Sequence, residues 1–187
     1  MRLPTDSELV WRLGARLPDR DYTIFRTAFV DGEHANIGRK RFSVIECADW
    51  VNVIALTAAR EVVLIRQFRV GTREVCLEIP GGMIDGDEEP ADAAARELRE
   101  ETGYVAPRWS RLATLAPNPA LQDNHLHVFL AEGAMPVEAP HPDGSEVIAV
   151  TKAPLAAVRD KLIAGEIEHA LVVAAFGHLA FRLGTLA

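Results

Sequence analysis

Residues 82–104 read GMIDGDEEPADAAARELREETGY, and this stretch decides the fold. Pro90 near its middle and Gly103 near its end bracket a helix of about a dozen residues, with proline at the first helical position and glycine just past the last. On that helix Glu97, Glu100 and Glu101 fall at spacings i, i+3 and i+4 and share a sector of about 100°. Ala91, Ala94, Ala95 and Leu98 fill the adjoining sector and form the expected face against a sheet. Three carboxylates on neighbouring turns repel one another, and the basic residues beside them are Arg96 and Arg99. A hard divalent cation relieves that repulsion, and carboxylate oxygens suit Mg²⁺ or Mn²⁺. A solvated acidic helix is the alternative from spacing alone. Ahead of the helix, Ile79-Pro80-Gly81-Gly82 and Gly86 allow close backbone approach. Glycines at 81, 82 and 86 do not make a dinucleotide-binding fingerprint.

The rest of the chain reads outward from this segment. Strands are expected over 22–30 and 40–47, forming a hairpin around Asp31-Gly32, and over 50–57 and 61–68. Leu77-Glu78-Ile79 leads to Pro80-Gly81-Gly82, where strand pairing is expected to stop. Further strands are expected over 109–116, 125–132 and 146–152, and helices over 155–163 and 166–183. Many strands, one central helix and terminal helices predict an α/β domain with a mixed sheet. Residues 1–45 read as an N-terminal β-hairpin extension without a core of its own, and residues 46–187 as the main domain.

Composition narrows the function classes. Twenty Lys and Arg against twenty-seven Asp and Glu give a net charge of −7 over 187 residues. An acidic chain is a poor fit to nucleic acid or an anionic membrane surface, so neither partner is expected. The apolar run from Ala170 to Ala180 is too short to span a bilayer. Met1 to Asp6 shows no apolar leader. Cys47 and Cys76 lack a metal-binding spacing and read as reduced thiols of a soluble cytoplasmic protein.

Gly82, Glu88 and Arg96-Glu97-Leu98-Arg99-Glu100-Glu101-Thr102-Gly103-Tyr104 match the Nudix box, G-x5-E-x7-R-E-U-x-E-E-x-G-U, at every defined position. The resemblance extends from Asp49-Trp50-Val51-Asn52-Val53 through Arg66-Gln67-Phe68-Arg69 to Pro154-Leu155. It is similar to the ADP-ribose pyrophosphatase branch, hydrolases of nucleoside diphosphate sugars. The resemblance implies an α/β/α sandwich and Mg²⁺- or Mn²⁺-dependent hydrolysis of a diphosphate to a nucleoside monophosphate and a sugar phosphate. It implies Glu97, Glu101 and the Gly81 carbonyl as metal ligands, Glu100 beside a second metal or its waters, Glu88 near the cluster, and Arg96 orienting the carboxylates. It also implies a homodimer whose N-terminal segments reach the partner's site.

The general base in this branch is commonly a loop glutamate. Within His141-Pro142-Asp143-Gly144-Ser145-Glu146 the candidate is Glu146, with Asp143 second and Glu100 as the fallback. Arg66 and Arg69 sit three apart on a strand and point to opposite faces, so one of them, Arg69, is the expected phosphate contact. Glu78 is a candidate for metal-bound water or a ribose hydroxyl. Trp50 is either a core residue or a base-stacking platform. His125 and His127 alternate on one strand without a third ligand, which favours packing or hydrogen bonding over zinc. Asn118-Pro119-Ala120 departs from the Ser-Pro-Gly-like turn of ADP-ribose hydrolases, which leaves a GDP- or CDP-linked sugar open. A Nudix-fold isomerase would need a pocket thiol beside a glutamate, and a silent nucleotide sensor would be expected to have lost box acids.

Overall fold

The computed structural model describes residues 5–142 and 146–184. Along the chain lie α1 (Asp6–Leu9), β1 (Arg12–Asp21), β2 (Arg26–His34), β3 (Gly38–Glu46), β4 (Trp50–Thr57), β5 (Glu61–Arg69), β6 (Glu74–Glu78) and β7 (Gly81–Met83). They are followed by α2 (Pro90–Thr102), β8 (Tyr104–Val105), β9 (Arg108–Leu115), β10 (Leu126–Pro136), β11 (Ile148–Pro154), α3 (Leu155–Ala164) and α4 (Ala170–Leu183). The chain divides into two compact units, Met1–Ala48 with Ala116–Asn124, and Asp49–Leu115 with His125–Ala187.

The larger unit is built on a mixed sheet of order β11-β5-β4-β10-β8, with β6 on β5, β7 on β4 and β9 on β10. The β4–β10 pair is parallel and the other pairs are antiparallel. Strand alternation sorts the core into two layers. On β4, Val51, Val53 and Ala55 face Ala93, Ala94 and Leu98 of α2. Ile54 and Leu56 face the opposite side, with Val158 of α3 and Val172, Ala175, Phe176 and Leu179 of α4. On β10, Phe129 and Ala131 join the first set and Leu126, Val128 and Leu130 the second. Helices on both faces of a mixed sheet make the expected α/β/α sandwich.

Several local expectations are corrected. The buried stripe of α2 is Ala93, Ala94, Leu98, Glu101 and Thr102, while Ala91 and Ala95 are exposed. The helix is rotated because a carboxylate, Glu101, belongs to its inner face. Pairing does not stop at Pro80: Gly81 and Gly82 pair with Asn52 and Val51. This close approach needs glycine, since a Cβ on residue 81 would lie 2.2 Å from the Val51 carbonyl oxygen. The final helix starts at Ala170 rather than at 166, because His169 caps it by accepting the Leu171 N–H.

The smaller unit is an antiparallel sheet of order β1-β2-β3. Asp31-Gly32 lies inside β2 rather than in the turn, which comes at residues 35–37. The strand β1 went unread: it holds Gly14 and Pro18, its ten residues are all exposed, and it carries no alternation to detect. Trp11 covers His34 and Phe42 at ring distances of 5.2 and 5.0 Å. The 116–124 segment joins this sheet through the Ile45 N–H, which donates to the Leu121 carbonyl, and through Arg16, which bridges Glu46 and Asp123. No helix among the described residues is long and apolar enough to cross a membrane.

The end of α2 supplies a test of this packing. Gly103 has φ +73°, and a Cβ there would meet the Glu138 carbonyl oxygen at 2.1 Å; Gly165, at φ +75°, has open space around it. Left-handed backbone costs a non-glycine residue about 1–2 kcal/mol, so Gly165→Ala should lower the melting temperature by about 2–8 °C. Gly103→Ala adds a backbone collision and should lower it by at least twice as much. Equal shifts in differential scanning calorimetry would contradict the close contact at Gly103.

Candidate active site

Two glycines and one helix assemble the carboxylates. Strand β7 lies against α2 so tightly that a Cβ on Gly82 would stand 2.3 Å from Glu97 Oε1. The Gly81 N–H donates to Glu101 Oε2 at 2.9 Å. Glu101 is only 1% exposed. Burial pushes its carboxyl up to about 8; the Gly81 amide opposes the shift, and Glu97 and Glu146 add to it. Glu97 is pushed up to about 7, first by burial, with Arg96 opposing and Glu100 and Glu146 adding. Desolvation disfavours an ionised carboxylate, and neighbouring negative charge disfavours it further.

Arg96 is the cationic hub. Its Nε and Nη2 donate to Glu88, its Nη1 donates to Glu97 Oε1 at 2.9 Å and Glu100 Oε2 at 3.2 Å, and Nη2 also reaches the Met83 carbonyl. The guanidinium holds Glu88 below the usual carboxylate range. One cation thus serves Glu88, Glu97 and Glu100, and Glu101 lies behind them with an amide as its hydrogen-bond donor. Among the described residues, no three carboxylate, imidazole or thiol groups already close around one point. The donor set is nevertheless all oxygen, acidic and short of positive charge, which fits a hard divalent ion.

The antiparallel pairing of Ile148 with Gln67 brings the segment before β11 to this place. Gln67 Nε2 donates to Glu146 Oε1 at 3.4 Å, and the Glu146 charge acts on both Glu97 and Glu101. Asp143, the second candidate, lies outside the described residues. Arg66 is exposed and Arg69 is half-buried, as the strand alternation requires. The Arg69 fork is committed within the protein, donating to both oxygens of buried Glu78 at 2.8 and 2.7 Å.

Beside these groups is a cleft of about 280 Å³ whose walls include Trp50, Asn52, Arg69, Glu78, Gly81 and Gly82. Met83, Leu126, His169 and Leu171 also line it. Trp50 also packs against the core, so it is a core residue with one face on the cleft. His127 Nε2 meets Asp49 Oδ2 at 3.0 Å and its Nδ1 meets the Thr114 hydroxyl, so this histidine is hydrogen-bonded. Sequence reasoning missed Asn52, His169 and Leu171 as cleft residues. A histidine directly before an apolar helix was the available signal for one of them. A larger concavity, about 470 Å³, lies on the N-terminal sheet among Arg12, Asp31, Glu33 and Arg39–Arg41. It holds none of the box carboxylates, and Asp31 and Glu33 there are paired with Arg41 and Arg12.

Comparison with known proteins agrees with this geometry. An ADP-ribose pyrophosphatase of Bacillus subtilis is 34% identical over 102 residues, 54% of this chain and 55% of that protein. An ADP-ribose pyrophosphatase of Mycobacterium tuberculosis is 30% identical over 133 residues, 70% of this chain and 64% of that one. The chain thus spans between about half and two thirds of these relatives' lengths. A solved ADP compounds hydrolase superposes with a TM-score of 0.81 at 25% identity, covering 95% of this chain and 96% of that one. The family model of the NUDIX domain matches residues 48–176, the span that carries the glycine loop, the α2 carboxylates, Glu146 and the cleft, and the chain belongs to the NUDIX family.

Proposed function

We propose that the chain hydrolyses the diphosphate bond of a nucleoside diphosphate sugar of the ADP-ribose type, yielding a nucleoside monophosphate and a sugar phosphate. The observation that carries this reading is the convergence of half-buried Glu97 and buried Glu101 with Glu146, which comes from the segment before the edge strand β11, next to a cleft with an aromatic wall. The ADP-ribose pyrophosphatase relatives and the ADP compounds hydrolase support the substrate class.

Glu97, Glu101 and the Gly81 carbonyl are the proposed metal ligands, with Glu100 beside them, and Mg²⁺ is the proposed ion, with Mn²⁺ as a substitute. A bound divalent ion supplies positive charge to phosphoryl oxygens and lowers the pKa of coordinated water. Arg96 orients Glu97, Glu100 and Glu88. Glu146 takes the proton of the attacking water as the water oxygen bonds to phosphorus and the bridging P–O bond breaks. The departing phosphate carries away the bond's electron pair. Trp50 stacks on the base, and Arg69 with Glu78 borders the substrate. The net charge of −7 suits a soluble cytoplasmic enzyme. The N-terminal sheet is the proposed homodimer contact, supported by a β1 exposed along its whole length and by uncovered Leu9, Val10, Leu13, Leu17, Ile24 and Ile37.

Five measurements test this reading. ADP-, GDP-, CDP- and UDP-linked sugars, assayed with Mg²⁺ for phosphatase-sensitive product, should give turnover on at least one; none on any would refute the reaction. Against the best substrate, Glu101→Gln should lower kcat at least 100-fold, and Glu97→Gln should sharply weaken Mg²⁺ affinity. Glu146→Gln should lower kcat by about 10²–10⁴-fold with little change in KM, and should flatten the acidic limb of the rate profile. If Glu146→Gln keeps its rate and its limb, the base lies elsewhere. Light scattering at micromolar concentration should give twice the chain mass, and a monomer would rule out the dimer.

A further inference from the structure

We propose that His169, aided by Asn52, reads the nucleoside half of the substrate at the α4 end of the cleft; this rests on the hydrolase reading above. His169 Nδ1 accepts the Leu171 N–H at 3.3 Å, capping α4. A neutral imidazole that accepts at Nδ1 carries its proton on Nε2. Among the described residues Nε2 has no hydrogen-bond partner, and His169 lines the cleft. The cap therefore fixes both the tautomer and the ring, leaving one oriented donor.

A second orphan stands in the same wall. Asn52 Nδ2 is buried and makes no hydrogen bond, while Oδ1 of the same amide lies against Gly81. A buried donor without a partner is costly, and native proteins keep few of them without a reason. A ligand that enters the cleft and lets this amide turn toward it removes the cost.

Charge selects the occupant. Arg69 is committed to Glu78, and Arg96 to Glu88, Glu97 and Glu100. The His169 imidazole, which accepts at Nδ1, and the Asn52 amide are uncharged donors. The walls beside them are Trp50, Met83, Leu126 and Leu171, one aromatic and three aliphatic. Uncharged donors between apolar walls suit a flat, uncharged, hydrogen-bonding ligand, which describes a nucleoside and not a diphosphate. The anionic half of the substrate belongs at the Gly81–Gly82 end, beside the box carboxylates and their cation.

The test uses His169→Asn in the full chain. Asparagine is among the best N-cap residues, so the helix cap survives while the donor no longer reaches the cleft. Calorimetric titration with AMP, GMP, CMP and UMP in EDTA should detect binding of at least one to the parent protein. His169→Asn should weaken the tightest of these at least fivefold with the melting temperature kept within about 2 °C. A smaller loss, or no binding of any nucleotide to the parent, overturns the proposal. Should the variant fail to fold, the His169 ring Nε2 resonance of the parent, followed by NMR, decides: movement on nucleotide addition supports the proposal and no movement overturns it. Nucleotide binding that depends on His169 in a protein that hydrolyses no diphosphate sugar would remove the hydrolase reading and leave this site standing.

Discussion

Glu101 is a carboxylate with 1% of its surface exposed, held by one backbone amide and flanked by the partly buried Glu97. A carboxyl in that position stays ionised when positive charge accompanies it and otherwise takes up a proton more readily. Arg96 reaches Glu97 but is shared with Glu88 and Glu100. Short of a cation, both carboxyls are pushed up by burial, Glu97 to about 7 and Glu101 to about 8. The rest of the larger unit can be understood as the scaffold that keeps these two groups buried, close and short of a cation.

That scaffold depends on distances that glycine alone allows. Gly81 pairs with β4 against the Val51 carbonyl, and Gly82 gives its side-chain space to the Glu97 carboxylate. The position of α2 is set from its other side by Ala93, Ala94 and Leu98 packing on Val51, Val53, Ala55 and Phe129. Gly103 ends the helix, donating its N–H to the Arg99 carbonyl and receiving the Val137 N–H on its own. A shift of α2 by about an ångström would break the hydrogen bond between Glu101 and the Gly81 amide. Core packing and site geometry are thus one constraint.

Much of this was legible in the sequence because the box is local: Gly82 to Tyr104 encodes turn, helix, carboxylate spacing and stop within one short segment. The bounds of α2 follow from Pro90 and Gly103. What could not be read depends on tertiary placement. The α2 stripe was expected to include Ala91 and Ala95, because a pattern of apolar residues gives no reason to bury Glu101. The exposed strand β1 had no periodicity to reveal it. Gly81–Met83 looked like a break and is a strand, since only the neighbouring β4 makes that visible. Arg69 looked free to clamp a phosphate, and the sequence does not show that Glu78 takes its fork. Asn52 and His169 lie 117 positions apart and meet in the cleft through the fold alone.

In the proposed site a divalent ion replaces protons on the Glu97–Glu101 pair. The direct measurement is calorimetric titration of the protein with Mg²⁺ in buffers of different ionisation enthalpy, which counts protons released per ion bound. With carboxyls at about 7 and about 8, roughly one to two protons should leave per chain at pH 7, falling toward zero by about pH 9.5, where both groups are already ionised. Binding at pH 7 without proton release, or a release that grows as the pH rises, would contradict the account.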